Sequence, residues 1–586
     1  MPAEKRWVVR GAADPGKTAS MAASLGIPPV LAGLLVQRGI DTVSEASAFF
    51  SPRLEDLHDP FLMKDMYKAV ERIDRAVGSG EKIMVYGDYD VDGTTAVALV
   101  YTFLRQLGHE NLSFYIPDRY TEGYGISIRG IDYARRTGAG LVIALDCGIK
   151  ATEKVAYAAL QGVDFIICDH HLPGDSIPDA VAVLDPKRPD CSYPFDELSG
   201  CGVGFKLIQG YCAYKGIPFS SIESLLDLVV VSTAADIVPL VGENRILAHF
   251  GLQRLNERPR RGLQSILKIC GLQGHEVTVD DIVFKIGPRI NAAGRMAVDR
   301  EDDVAAPSGG HSAVNLLIER DETAAAEFGS FIDTCNKDRK SVDRHVTQEA
   351  HDLVESDPAM RGAKSTVLYN PRWMKGIVGI VASRLIETYY RPTVVLTQSN
   401  GLATGSARSV PGFDLYQAVE SCADLLENFG GHMYAAGLTM KPERVPEFTR
   451  RFQAYVDEHI DPGMLVPQVD IDAELLFSEI TPQFRAVLSA FQPFGPGNTA
   501  PVFLTRGASN RGDARLVGIG REHLRMDLFQ REKPNTRIGA IAFQQPELYE
   551  WIRSGRPVDV CYTVAENHYR GTVSPQLRIK DIKMTQ

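Results

Sequence analysis

The stretch "MVYGDYDVDGTTAVALV" (residues 84–100) decides how the first half of the chain folds. The apolar run "MVYG" is typical of a buried strand, and "TTAVALV" opens a helix. Between them, Asp88, Asp90 and Asp92 occupy alternate positions, and Gly93 follows. A loop that presents several carboxylates at the end of a strand offers hard oxygen ligands to a divalent cation.

The same spacing begins an EF-hand calcium loop, but the later positions do not fit one. Counted from Asp88, the twelfth position is Leu99, where an EF-hand needs a bidentate glutamate, and a predicted strand rather than a helix precedes the loop. Capping of the following helix by Asp92 is a plainer alternative, but it explains only one of the aspartates. Clustered carboxylates repel one another and persist best around bound cations, so the stretch predicts a metal site.

Strands and helices alternate along the chain from about residue 65 to residue 290. Such alternation predicts a mostly parallel sheet that is covered on both faces, and ligands of such sheets bind at the carboxyl ends of the strands. The predicted strands are "KIMVYGD", "LSFYIPD", "LVIALDCG" and "DFIICDHH", and the predicted helices are "TTAVALVYTFLRQLG", "SIRGIDYARRTG" and "KATEKVAYAALQG".

Further polar side chains follow other apolar runs. Asp146 follows "VIAL", and Asp169, His170 and His171 follow "FIIC". Asp236 follows the apolar "LLDLVVV", which we interpret as another strand. Imidazole added to carboxylates suits Mn²⁺ or another transition metal better than Ca²⁺. Together with the first loop, these clusters predict a hydrolytic centre that binds two metal ions.

The rest of the chain indicates several further domains, since 586 residues suffice for three or four at about 100–200 residues each. The charged, helix-periodic region 312–358 predicts one long connecting helix or two, and "APSGGHS" before it predicts a loop. A second α/β unit begins near residue 365, and six short strands near the end predict a small β-barrel. We therefore expect an N-terminal helical segment, a first α/β domain, a helical connector, a second α/β domain and a barrel: 1–64, 65–298, 299–362, 363–460 and 466–586.

Composition limits the cellular setting. The nine cysteines are scattered without a C-x-x-C pair, which is typical of reduced thiols in the cytoplasm. The sequence has no apolar run long enough to span a membrane, and its beginning lacks a secretory apolar region. The net charge of −11 argues mildly against a nucleic-acid binder. Local basic stretches exist nonetheless, although most such stretches are simply solvated surface: 256–262, 287–295 and 515–526.

The motifs resemble those of a known superfamily. "VYGDYDVDGTTA", "ALDCGI", "CDHH" and "AADIVPL" are similar to the successive motifs of the DHH phosphoesterases. "GSARS" (405–409) and "NFGGHMYAAG" (428–437) resemble the DHHA1 domain that accompanies them. "IPDRYTEGYG", "PRINAAGRM" and "PFGPGNTAPVF", together with the terminal barrel, narrow the resemblance to the branch of single-strand-specific 5′→3′ DNA exonucleases.

The resemblance implies a multidomain α/β fold and a role for each matching residue. The fold is a parallel-sheet DHH domain and a smaller α/β DHHA1 domain, joined by a long helix and followed by an OB-fold barrel. The metal ligands implied are Asp88, Asp90, Asp92, Asp146, His170 and Asp236, for two ions of Mn²⁺ or Mg²⁺, with Asp88 either a ligand or a support. Asp146, as the bridging carboxylate, His171, as the contact to the scissile phosphate, and Asp92 are implied to be catalytic.

The resemblance also implies a set of substrate contacts. Ser406 and Arg408 match residues that hold a 5′-phosphate, and Gly430, Gly431 and His432 match the substrate-binding Gly-Gly-His. Arg119 and Arg295 are candidate clamps on the DNA backbone.

Two features depart from the family pattern. Many relatives carry Trp-His before the "GIVGI" run, whereas this chain has "RWMKGIVGI", with Met374 in place of the histidine and Lys375 after it. The segment "DREDDVAAPSGGHS" (299–312) matches nothing in the pattern and has no predicted role.

The resemblance predicts an exonuclease that releases 5′-mononucleotides from single-stranded DNA in repair and recombination. The alternative is a DHH phosphodiesterase of short oligonucleotides or cyclic dinucleotides. A pyrophosphatase of the superfamily and a binding protein with an inactive centre are further alternatives. Single-stranded DNA is the predicted partner, a helicase and a single-strand-binding protein are candidate cooperating proteins, and a monomer is the simplest state.

Overall fold

The computed structural model describes residues 5–296, 309–569 and 572–585. The chain forms two compact units: residues 53–465 with 495–497, and residues up to 52 with 466–494 and those from 498 onward. The described residues include no helix that is both long and apolar enough to cross a membrane. Most of the segment 299–312 lies outside the described residues.

The beginning of the chain belongs to the same unit as its C-terminal part. Helix α2 buries Leu31, Leu34 and Leu35 in one core with the C-terminal strands. The sequence predicted the helices but not the partner against which they pack. The elements are β1 (Arg6–Val9), α1 (Pro15–Leu25), α2 (Pro29–Gln37) and α3 (Val43–Phe50).

The first sheet of the larger unit follows the predicted alternation. Its elements are α4 (Met66–Ser79), β2 (Ile83–Gly87), α5 (Val91–Gln106), β3 (Leu112–Tyr115), α6 (Ile128–Thr137), β4 (Leu141–Leu145), α7 (Thr152–Leu160), β5 (Asp164–Cys168) and β6 (Ala182–Leu184). All pairings are parallel, in the order β3-β2-β4-β5-β6. Alternate residues of β2 enter two different cores, Ile83 and Val85 on one face and Met84 and Tyr86 on the other, as expected for a sheet covered on both sides.

A group of helices follows this sheet: α8 (Gly200–Lys215), α9 (Leu226–Ala235), α10 (Gly242–Glu257), α11 (Arg261–Ile269), α12 (Val279–Asp281), α13 (Gly287–Arg295), α14 (Gly309–Ile318), α15 (Glu322–Ser356) and α16 (Pro358–Gly362). The connector is one 35-residue helix, α15, rather than two. The end of the predicted loop "APSGGHS" is helical instead, because α14 begins at Gly309 and buries Gly310 and Ala313.

The second sheet of this unit is smaller and mixed. Its elements are β7 (Thr366–Tyr369), α17 (Val378–Tyr389), β8 (Thr393–Ser399), β9 (Leu402–Arg408), α18 (Leu415–Glu420), β10 (Leu426–His432), β11 (Ala435–Met440) and α19 (Val445–His459). The strands lie in the order β10-β11-β9-β8-β7, and β7–β8 is the one parallel pair among these described strands.

The C-terminal strands close into a barrel. The elements are β12 (Gln468–Ile471), β13 (Ala473–Glu474), α20 (Pro482–Ala490), β14 (Phe503–Asn510), β15 (Arg515–Val517), β16 (His523–Gln530), β17 (Lys533–Ala542), α21 (Tyr549–Arg553), β18 (Val558–Tyr569) and β19 (Thr572–Met584). Pairings run β14-β18-β19-β17-β16 and return to β14, and five strands closed in this way form an OB-fold. The predicted fold class is confirmed.

Truncation of Leu35 to alanine should destabilise the smaller unit. The side chain is fully buried against the barrel core, so the change should cost about 2–5 kcal/mol. Amide hydrogen exchange should then accelerate in β14 and β16 but not in β2 or β4. Val43→Ala, at an exposed apolar position of α3, is the matched control and should leave exchange unchanged. Unchanged exchange in Leu35→Ala would contradict the packing described.

Candidate metal centre and phosphate pocket

The carboxyl edge of the first sheet gathers the candidate metal ligands. The chain runs from β2 outward to β3 and then back across to β4, and the crevice at such a reversal is the ligand site of open α/β sheets. Asp88, Asp90 and Asp92 follow β2, Asp146 follows β4, and His170 comes shortly after β5.

His170 lies at the centre of the cluster. Its Nε2 is 3.2 Å from Oδ1 of Asp146, 3.6 Å from Oδ2 of Asp92 and 3.7 Å from Oδ2 of Asp236. Two overlapping sets of three residues have ligand atoms close enough to share an ion: Asp146, His170 and His171, and Asp92, His170 and Asp236. The structure therefore brings together side chains that lie up to 144 positions apart in the sequence.

The carboxylate of Asp92 is held by hydrogen bonds from two helices. Its Oδ2 accepts from the Gly200 N–H at 2.6 Å, and its Oδ1 accepts from the Cys201 N–H and the Ser232 hydroxyl, both at 2.7 Å. Gly200 opens α8, whose N-terminal end favours negative charge. A Cβ at Gly200 would lie 2.6 Å from the Cβ of Asp146, so only glycine permits this approach.

Asp90, and not Asp92, caps the helix that follows the first loop. Oδ1 of Asp90 accepts from the Gly93 N–H at 3.0 Å, so the alternative in which Asp92 caps the helix is excluded. The reason is that α5 begins at Val91, which places Asp92 inside its first turn and directs that side chain toward α8. A Cβ at Gly93 would lie 2.4 Å from the carbonyl oxygen of Asp88, so the loop needs glycine there.

Asp236 follows a helix, and our assignment of a strand before it is wrong. It is the C-terminal cap of α9, whose sequence "LDLVVVSTAA" is almost wholly buried. A helix that is apolar on all sides loses its 3.6-residue pattern, and its β-branched residues then mimic a buried strand. The next residue, Ile237, has a φ of 62°, which turns the chain away after the carboxylate.

Asp88 is enclosed and poorly satisfied. Its side chain is 1% exposed, and its Oδ2 has no hydrogen-bond partner within the described parts of the chain. Oδ1 lies 3.5 Å from the Gly125 N–H, a long contact. Neither Asp88 nor Asp90 belongs to the three-residue sets around His170, and the full enclosure of Asp88 suits a support to the cluster.

The clustered carboxylates resist ionisation. Burial, and then the charges of Asp92 and Asp90, raise the pKa of Asp146 well above its usual range. Burial and then Asp90 raise the pKa of Asp92 to about 6, and burial and then Asp92 raise the pKa of Asp236. Bound cations would offset this repulsion.

The donor set fits divalent metal ions. Carboxylate oxygens suit Mg²⁺ and Mn²⁺, and the imidazole of His170 favours Mn²⁺ over Ca²⁺. The orphaned Oδ2 of Asp88 and the raised carboxyl pKa values both indicate that the site is incomplete without positive charge.

Asp169 is a functional residue that received no role from the sequence. Its Oδ1 lies 2.7 Å from Nδ1 of His171, and its Oδ2 accepts from the Ile149 N–H at 2.8 Å. Burial disfavours the charged forms of Asp169 and His171, but the hydrogen bond between them outweighs this effect. It lowers the pKa of Asp169 to about 2 and raises the pKa of His171 to about 9. The sequence contained a signal for this role, because an aspartate directly precedes two histidines after one strand.

Tyr124 is a second residue that the sequence did not single out. Its hydroxyl donates to the carbonyl oxygen of Asp146 at 3.1 Å and lies 3.2 Å from Nε2 of His171. Asp146 has a φ of 58°, a left-handed conformation that needs support from its surroundings. Tyr124 supplies part of that support.

The second sheet gathers the predicted phosphate contacts. Arg408 donates from Nη1 to the Ser406 hydroxyl at 2.6 Å and to the Ala407 carbonyl at 2.8 Å. A Cβ at Gly379, in the first turn of α17, would lie 3.3 Å from both Nη2 of Arg408 and Oγ of Ser406. Burial lowers the pKa of Arg408 because it disfavours the charged guanidinium. A bound anion would stabilise that charge.

Strand register aligns the Gly-Gly-His segment with these residues. Gly430 of β10 is opposite Gly437 of β11, which is opposite Ser406. His432 lies in the row of Arg408 in the same way, and Gly431 lies between the two rows. A Cβ added at Gly430 would have no other atom within 4 Å. These rows therefore leave open space beside the Arg408 guanidinium.

The two predicted backbone clamps lie next to the first loop. The Arg119 guanidinium stacks on the Tyr89 ring at 3.9 Å, and its Nε is buried without a partner in the described structure. Arg295 donates from Nη1 to the Gly376 carbonyl at 3.0 Å. Burial, and then the charge of Arg119, lower the pKa of Arg295 to about 10.

Family models match three parts of the chain. They are the N-terminal domain of the DHH family over residues 82–233, the DHHA1 domain over 362–458 and the RecJ OB domain over 471–581. The carboxylate and histidine cluster on the first sheet, followed by these domains, defines a phosphoesterase of the DHH superfamily.

Curated relatives define the class more narrowly. The single-stranded-DNA-specific exonuclease RecJ of Bacillus subtilis is 36% identical over 588 residues, which span 100% of this chain and 72% of that protein. RecJ of Salmonella typhimurium is 33% identical, with 99% of both chains covered. The chain therefore belongs to the RecJ family of single-stranded-DNA-specific exonucleases, and the predicted resemblance is confirmed.

A solved structure of a RecJ protein has a similar fold. RecJ of Thermus thermophilus in complex with Mn²⁺ matches with a TM-score of 0.83 at 28% identity, covering 99% of this chain and 80% of that one.

Divalent metal should stabilise this protein through Asp146. Mn²⁺ should raise the melting temperature of the wild type, because ligands that bind the folded state stabilise it. Asp146→Asn should lose most of that rise, since asparagine tolerates the left-handed backbone but carries no charge. Without metal at pH 8 it should melt higher than the wild type, because a folded pKa raised above the unfolded one removes stability as the pH rises.

The exposed Asp175→Asn is the matched control and should behave as the wild type in both conditions. An undiminished Mn²⁺ shift in Asp146→Asn would remove this residue from the ligand set.

Proposed function

We propose that this protein is a single-stranded-DNA-specific 5′→3′ exonuclease that releases 5′-mononucleotides by metal-dependent hydrolysis. The observation that carries the proposal is the cluster around His170, where carboxylates from three parts of the chain converge. Membership of the RecJ family supports the substrate class.

The metal ions are proposed to be two of Mn²⁺ or Mg²⁺. The ligands would be Asp90, Asp92, Asp146, His170 and Asp236, with Asp88 as support. Bound there, such ions supply Lewis acidity that activates water and polarises the phosphate oxygens. Asp92 keeps its place through the N–H groups at the start of α8, and Asp146 through its own strained turn.

His171 is proposed to stabilise the developing charge on the scissile phosphate. Asp169 accepts a hydrogen bond from its Nδ1, which keeps the ring oriented and favours its protonated form. A protonated imidazole then has its Nε2 proton available for a phosphate oxygen as negative charge grows. The Tyr124 hydroxyl next to Nε2 restricts the ring further.

The direction of digestion is proposed to come from the pocket around Arg408. A guanidinium fork and a serine hydroxyl suit the doubly charged phosphate at a 5′ end. The glycine rows beside them leave room for that phosphate without displacing a side chain. This pocket and the carboxylate cluster lie in the same compact unit.

The primary test uses long single strands labelled at either end, with Mn²⁺ present. A 5′ label should leave as a mononucleotide from the first time point, while a 3′ label should stay on shortening strands. Arg408→Ala should reduce the preference for 5′-phosphate over 5′-hydroxyl ends roughly tenfold to a hundredfold, the value of a charge-assisted hydrogen bond. Arg444→Ala, exposed in the same domain, is the control.

An unchanged end preference in Arg408→Ala would reject the pocket. Cleavage confined to strands of two to five nucleotides would instead favour the alternative function, a phosphodiesterase of short oligonucleotides or cyclic dinucleotides.

The barrel is proposed to grip the single strand on one outward face. Strand register places Arg515, Arg525, Ile541 and Arg578 in one row across β15, β16, β17 and β19. All three arginines are exposed, and none is within 4.0 Å of a carboxylate in the described parts of the chain. Like charges directly opposite each other across strands are unfavourable, so the row suits a phosphate backbone.

An exposed aromatic side chain borders this row. Phe543 follows β17, is 49% exposed and packs edge-on against His523 with ring centroids 5.0 Å apart. Aromatic side chains beside cationic ones are the usual means of binding single strands without sequence preference, because every base can stack.

Arg525→Ala should weaken single-strand binding and lower the slope of log affinity against log salt by about 0.7, the share of one phosphate contact. Arg531→Ala, exposed at the turn between β16 and β17, is the control and should keep the wild-type slope. Equal slopes for both variants would reject this face of the barrel.

The cellular location and the partners of the enzyme are proposed from its free cysteines and its substrate. All nine cysteines are free, which suits the reducing cytoplasm where DNA repair and recombination occur. Single strands arise there when a helicase unwinds DNA and a single-strand-binding protein covers the product, so these proteins are the proposed partners. A monomer is the proposed state.

A further inference from the structure

Lys375 lies on a firmly held turn between β7 and α17. The Trp373 ring is buried, its Nε1 donates to Oε2 of Glu349 at 2.8 Å, and its carbonyl accepts from the Thr397 hydroxyl. The side chain of Met374 packs into the apolar cluster that includes Trp373. Of the two residues that depart from the family pattern, only Lys375 offers a polar group.

The glycine after Lys375 fixes this turn against the predicted backbone clamps. A Cβ at Gly376 would lie 2.5 Å from the carbonyl oxygen of Arg295 and 2.9 Å from the Tyr120 hydroxyl. Arg295 also donates to the Gly376 carbonyl. Lys375 is thereby placed beside Arg295 and beside Arg119, the neighbour of Tyr120.

Lys375 has no carboxylate partner among the described residues, which omit 297–308. It is half-buried, and in the described chain no carboxylate comes within 4.0 Å of Lys375, Arg119 or Arg295. Burial lowers the pKa of Lys375, and the charge of Arg119 lowers it further. The charge of Asp118 acts in the opposite direction, but its Oδ1 already accepts from two backbone N–H groups and the Thr121 hydroxyl.

The same segment leads directly to the phosphate pocket. Gly379, four residues after Lys375, lies in the first turn of α17 and faces Ser406 and Arg408. At its other side, the turn meets Arg295, whose charge interacts with that of Asp90 in the metal cluster. The segment that carries Lys375 therefore meets Arg295 at Gly376 and the pocket proposed for the 5′-phosphate at Gly379.

We propose that Lys375 binds a non-bridging phosphate oxygen of the single strand near its 5′ end. It thus adds a backbone contact one residue after Met374, which stands where the family's histidine is missing. The inference rests on the proposed function, because it takes single-stranded DNA as the anion. A lysine is a mobile point charge with three donors, so the contact is independent of base sequence.

The test measures binding rather than cleavage. A fluorescent, 5′-phosphorylated single-stranded oligonucleotide is titrated with the full-length protein in EDTA at several salt concentrations. Lys375→Met should bind about tenfold more weakly and lose about 0.7 from the slope of log affinity against log salt. Lys375→Arg should recover most of the slope. Arg372→Ala, exposed on the same turn, is the control and should match the wild type.

A second measurement separates contact from folding. Lys375→Met should keep the wild-type melting temperature, and with Mn²⁺ it should raise KM about tenfold while kcat changes less than twofold. A wild-type salt slope in Lys375→Met overturns the proposal. If the wild type binds the oligonucleotide but does not digest it, the proposed function fails while the binding arm still decides the role of Lys375.

Discussion

The hydrogen bonds to the Asp92 carboxylate hold the candidate active site together. This one side chain comes from the first turn of α5 and accepts hydrogen bonds from the first N–H groups of α8 and from a hydroxyl of α9. The helix that supplies that hydroxyl, α9, is capped at its C-terminal end by Asp236. The same hydrogen bond therefore helps to set the distance between Asp92 and Asp236. The glycines at positions 93 and 200 allow it, since any Cβ there would collide with the loop or with Asp146.

Much of this arrangement was predictable because it follows from rules of local pattern. Short apolar runs that end in aspartate or histidine predicted β2, β4 and β5 and located Asp146 and His170 at one edge of the sheet. Parallel strands share their carboxyl edge, so distant residues could be placed together without any knowledge of distances. Most of the C-terminal strands were also predictable, because turn residues separate the short apolar runs.

Other features depend on tertiary context and could not be predicted. The run before Asp236 is apolar on every side, so its sequence does not distinguish a helix from a strand. The capping role of Asp90 depends on where α5 begins, to within one residue. Tyr124 reaches His171 through a loop, and the row of barrel arginines exists only because of strand register. Net charge was also a poor guide, since the acidic groups and these arginines occupy separate places.

The shared core of the smaller unit has a consequence for synthesis of the protein. Residues up to 52 supply Leu31, Leu34 and Leu35, but their partners begin at residue 466. At 5–20 residues per second, a ribosome needs roughly 20 to 80 seconds to cover that interval. During this time the larger unit can fold, while the early helices keep an apolar stripe exposed. The nascent chain thus has a period in which the apolar faces of its first helices lack their packing partner.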